Sequence, residues 1–125
     1  MEAITEQEDR YAEFISILQQ NNKLTDNDLN KALEYAIKSN EMSPKQPRIL
    51  DTLGVIQLKS NDIEGAFNTL GEAYSILPND VEIIIHLAQT QQARKNHKNV
   101  EKLLTNLTEQ DKQKWADELK SLLQK

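Results

Sequence analysis

Apolar residues recur along this chain at the three- and four-residue spacing that gathers them on one face of a helix. Tyr11, Phe14, Ile15 and Leu18 make the first stripe. Val100, Leu103, Leu104 and Leu107 make another, and Trp115, Ala116, Leu119, Leu122 and Leu123 make the last. Polar residues and prolines punctuate the stripes. Thr25 with Asp28, and Thr108 with Asp111, have the spacing of capping boxes at helix starts. Pro44 and Pro78 cannot continue a helix and push the residue before them out of the α region. The pattern predicts a first helix over about residues 6–20, a loop around 21–27, and a second helix opening at the Thr25 cap.

Between residues 53 and 80 the helical pattern carries small side chains at Gly54, Ala66 and Ala73. A glycine inside a helix costs about 1 kcal/mol against alanine. It is tolerated where another element must come close. The segment KALEYAIKSNEMSP, ending at Pro44, aligns with GAFNTLGEAYSILP, ending at Pro78. Ala32 and Ala66 are 34 apart (66 − 32), as are Pro44 and Pro78 (78 − 44). Another step of 34 carries Leu53-Gly54 to Leu87-Ala88, Leu70 to Leu104 and Ala73 to Leu107. The third unit thus keeps the leucines and loses two of the small residues.

A period of 34 with these small residues and closing prolines resembles the tetratricopeptide repeat, in which each unit is two antiparallel helices, A and B. The resemblance implies an all-α chain: an α–α superhelix of three helix pairs plus a C-terminal capping helix. Its expected bounds are repeat 1 over about 6–46, repeat 2 over 47–80, repeat 3 over 81–107 and the capping helix over 108–125. Gly54, Ala66 and Ala73 are then packing contacts between helices rather than a phosphate loop. The last stripe reads as the terminal cap that repeat arrays need to cover their exposed apolar end. Residues 49–96, with D-T-L-G at 51–54 and H-L-A at 86–88, are also similar to the C-terminal repeats of bacterial lipoproteins. Those lipoproteins accompany PEP-CTERM/exosortase sorting and exopolysaccharide export.

Composition narrows the function. Glycine and proline number three each and aromatics make up 5%, which suits helices better than sheets. With no cysteine there is no disulfide or thiolate metal site. The net charge of −5 argues against non-specific nucleic-acid or anionic-membrane binding. The charge is uneven: residues 1–46 hold five Lys/Arg against nine Asp/Glu, and residues 82–125 hold eight against six. No run reaches the roughly eighteen apolar residues of a membrane span. The acidic start lacks an apolar leader, so the expected location is cytoplasmic as written, or the envelope if the sequence is a piece of a lipoprotein. Catalytic signatures and Gly-rich phosphate loops are missing. His86 and His97 have no His or Cys at helical ligand spacing, so neither is expected to bind metal. The sequon at Asn106 falls at a helix end and reads as incidental. The chain is therefore expected to be neither an enzyme nor a cofactor protein.

What remains is binding of a protein or peptide. In the resembling family the A helices line a concave groove. That implies Arg48, Asp51, Val55, Leu58 and Lys59 in repeat 2, and Glu82, Ile85, Gln89, Gln92 and Ala93 in repeat 3. A clamp for a terminal carboxylate is not expected, because Asp51 and Glu82 would repel it. The alternative is a structural end of a longer array that binds elsewhere.

Overall fold

The computed structural model describes residues 25–123. The first expected helix, over 6–20, lies outside them. Seven helices follow one another within the described residues: α1 Asp26–Met42, α2 Pro47–Lys59, α3 Ile63–Ile76, α4 Val81–Ala93, α5 His97–Leu104, α6 Glu109–Lys114 and α7 Ala116–Leu123. Residues 47–80 thus hold one helix pair and residues 81–107 the next.

Local chemistry sets the boundaries. The Thr25 hydroxyl accepts from the Asp28 amide at 3.1 Å, and Asp28 accepts from the Thr25 amide at 3.3 Å. Thr108 and Asp111 form the second expected box, at 3.1 and 3.2 Å. Asp62 caps α3 through the Gly65 amide, and Asp80 caps α4 through the Ile83 amide. Each of these carboxylates satisfies an amide left without an intrahelical partner. Pro47 starts α2 at a position where a missing N–H costs nothing. Pro44 and Pro78 follow the last residues of α1 and α3, as expected. The turns after α2 and α4 each put one residue in the left-handed region: Asn61 at φ 66° and Lys95 at φ 63°. They are one period apart.

The core is strung along the chain instead of gathered in one place, as expected when each helix pair touches only its neighbours. Ala32 and Ala36 of α1 pack with Leu53 and Ile56 of α2. Leu50, Ala73 and Ile83 join α2, α3 and α4. Ala66, Leu70 and Leu87 join α3 to α4. Ile85, Ala88, Val100, Leu104, Leu119 and Leu122 close the C-terminal end. Burying a leucine or isoleucine stabilises by about 1.5–3 kcal/mol, so these seams hold the helices together. Gly54 has the role its position suggested. A Cβ there would lie against Leu70 Cγ, with Cδ2 at 2.8 Å and Cδ1 at 3.1 Å.

Within the stretch expected as the capping helix, 108–125, the described residues form two short helices, α6 and α7. The tail bends at Trp115 (φ −107°, ψ 27°), which ends α6 as its C-cap. Trp115 packs partly buried against the C-terminal cluster. The bend lets α7 turn back and lay Leu119 and Leu122 onto α4 and α5.

Candidate functional site

The alternate helices α2 and α4 lie side by side, with α3 packed against both. Their shared face is where the expected groove residues fall. Two polar ties cross it. At the helix starts, Arg48 Nη1 donates to Glu82 Oε2 at 2.7 Å and Nη2 to Asp80 Oδ2 at 3.2 Å. Arg48 is half exposed, so this bridge is wet. One turn further in, His86 Nδ1 meets Asp51 Oδ1 at 2.7 Å. An ionised carboxylate only accepts, so Nδ1 is the donor and Nε2 faces the other way. This second tie is sheltered: the Asp51 side chain is 8% exposed and His86 19%.

Three of the expected groove residues are packed or already engaged by neighbours. Ile85 is completely buried in the C-terminal cluster, because α7 folds onto α4. Leu58 turns toward α3 and packs with Ala66, Leu70 and Leu87. Asp51 is buried and spent on His86. Arg48 is exposed, and Val55, Lys59, Glu82, Gln89 and Gln92 are half buried along the same face. Burial pushes the Lys59 ammonium below the ordinary lysine pKa. Gln92 donates to the Ser121 carbonyl at 2.9 Å, which pins α7 to the end of the face. Ala93 is exposed beside it.

Two of the interactions that had no sequence expectation stand out. His86–Asp51 is one; the separation of 35 residues, one period plus one, is the signal that could have found it. The other is Arg94, whose guanidinium lies 3.7 Å from the Phe67 ring centroid. Its Nε donates to Glu64 Oε2 at 3.0 Å and its Nη1 to Gln91 Oε1 at 3.0 Å. Stacking on a desolvated ring is worth about 0.5–2 kcal/mol and ties α3 to α4.

Among the described residues no three His, Asp or Glu side chains converge as metal ligands, and no helix is long and apolar enough to cross a membrane. His86 and Asp51 resemble two members of a catalytic triad, but the one hydroxyl bonded to His86 among the described residues, Thr90 Oγ1, donates to its backbone carbonyl at 2.9 Å and not to its ring. Compared with known families, residues 57–125 match the one described as Tetratricopeptide repeat. Among curated proteins nothing matches.

Proposed function

The chain belongs to the tetratricopeptide-repeat family, and from that premise we propose that it is a non-catalytic scaffold gripping an extended peptide or partner helix along the α2–α4 face. Repeats of this family mediate protein–protein interaction. The observation that carries the reading is the make-up of the face. Val55 offers an apolar contact, Gln89 an amide that both donates and accepts, and Lys59, Arg48 and Glu82 offer charge, on helices already tied together at two levels. A wall fixed before binding loses little freedom when a ligand arrives. Mixed apolar and polar groups on rigid helices suit a peptide main chain flanked by side-chain pockets. The likeness of residues 49–96 to envelope lipoprotein repeats makes an exopolysaccharide or protein-sorting assembly the first place to seek the partner.

Peptides selected from a displayed random library on the immobilised chain test this. Selected binders should lose about tenfold or more in affinity, about 1.4 kcal/mol, on Lys59→Glu or Gln89→Ala, with unchanged melting temperature. Glu72→Lys, on the exposed side of α3, should leave them alone. Binders that ignore both face changes and respond to Glu72→Lys would move the site off this face.

A further inference from the structure

A second surface lies at the other end of the molecule. Between α5 and α7 a cleft of about 470 Å³ opens over Leu104, Leu107 and Leu119. Leu123 forms part of its wall and is 58% exposed, although Leu119, one turn earlier, is buried at 8%. The stripe of α7 therefore climbs out of the core into open solvent. A smaller hollow shares Glu101 and Leu123 and runs on toward His97, so the cleft follows the length of α5.

Its shape calls for a helix. Elsewhere in the chain the groove between neighbouring helices is filled by the next one: α4 fills that between α2 and α3 through Ile83, against Leu50 and Ala73. The α5–α7 groove has no such follower among the described residues. Its rim carries Lys112 and Lys120 against Glu101. Such a rim favours an amphipathic helix with acidic flanks. The chain contains such a sequence. Residues 6–20 hold the stripe Tyr11, Phe14, Ile15, Leu18, edged by Glu6, Glu8, Asp9 and Glu13. Charge is complementary between the two ends of the chain as well: residues 1–46 are net acidic and residues 82–125 net basic.

We propose that the α5–α7 cleft seats residues 6–20 of a second copy of this chain, exchanged out of the place the same stripe is expected to take in its own first repeat, so that copies associate head to tail. The contact joins two different surfaces, so unless two copies exchange it reciprocally it generates strings or rings of copies. Apolar burial drives it, and the lysine rim makes it sensitive to salt.

A labelled synthetic peptide of residues 4–22, titrated into the full-length chain, is the probe. It should bind saturably, weaken as salt rises from about 50 to about 500 mM, and lose about tenfold or more in affinity on Leu123→Glu. A peptide carrying Glu13→Lys should bind Lys120→Glu better than the native peptide does. Leu123 is already exposed, so its replacement leaves the fold intact, which circular dichroism checks. Sedimentation of the wild-type chain should show growth with concentration that Leu123→Glu abolishes. The proposal is overturned if the peptide does not bind, or if it binds Leu123→Glu as well as wild type. Loss on Ile37→Glu instead would put the segment on α1 and also overturn it. So would a cleft that takes only a small anionic amphiphile such as laurate.

Discussion

Adding one methyl group at Gly54 tests the seam on which the fold is built. A Cβ there would fall on Leu70 Cγ, with both δ-carbons within 3.1 Å. Carbon atoms pack without strain at about 3.5–4.0 Å, so Leu70 must retreat by about an ångström. It has nowhere to go. Leu70 is completely buried between Ala66 and Leu87, and rotation about its χ2 alone still leaves Cγ in the way. Overpacking of this kind costs about 1–3 kcal/mol. Alanine also gains about 1 kcal/mol of helix propensity over glycine, so Gly54→Ala alone should be destabilising by about 0–2 kcal/mol, which is hard to interpret. Gly71 resolves it. It lies inside α3, and a Cβ added there meets nothing within 4 Å. Gly71→Ala gains the propensity without the clash and should stabilise by about 1 kcal/mol. The difference between the two variants isolates the close approach and should be about 1–3 kcal/mol. Urea midpoints at constant m-value measure both. If Gly54→Ala stabilises as much as Gly71→Ala, the α2–α3 seam is looser than described and the reasoning fails.

Asp51→Ala should cost about 1–3 kcal/mol by stranding the His86 donor, and Asp51→Asn, which keeps an acceptor, should cost less; equal losses would mean that the hydrogen bond is not what matters. Lys95→Gly should stabilise by about 0.5–1 kcal/mol, since a left-handed lysine pays a steric penalty that glycine does not; thermal melts decide, and a lower midpoint would contradict the turn geometry. Deleting residues 108–125 strips Trp115, Leu119 and Leu122 from the cluster around Ile85 and Val100. Light scattering should then report more aggregation than the full chain shows, and a truncated chain that scatters no more than the full one and is equally stable would show that the tail seals nothing.

Much of the architecture could be read from spacing because the fold repeats. Gly54, Ala66 and Ala73 mark seams, and Pro44 and Pro78 mark ends, through steric rules that hold wherever the chain sits in space. Both capping boxes are visible for the same reason: each joins residues three apart. The bend at Trp115 is different. No glycine or proline announces it, and the stripe from Trp115 to Leu123 fits an unbroken helix. Docking of Trp115 and α7 onto α4 and α5 overrides the local preference. That docking also buries Ile85, which the repeat pattern alone would leave in the groove. Leu58 turns inward because α3 offers it Leu70 and α4 offers it Leu87. The candidate residues could be placed on α2 and α4 from spacing, but their exposure depends on neighbours that spacing does not specify.

The two ties across α2 and α4 differ in their exposure to salt. The outer tie, through Arg48, is exposed and worth about 0–1 kcal/mol in ordinary salt. The inner tie, between Asp51 and His86, is shielded and costs more to break. Beneath both, Leu50 and Ile83 pack in one buried cluster and hold the helix starts together. On the proposed reading, a guest arriving at the Arg48 end competes with one solvated ion pair and leaves that packing in place.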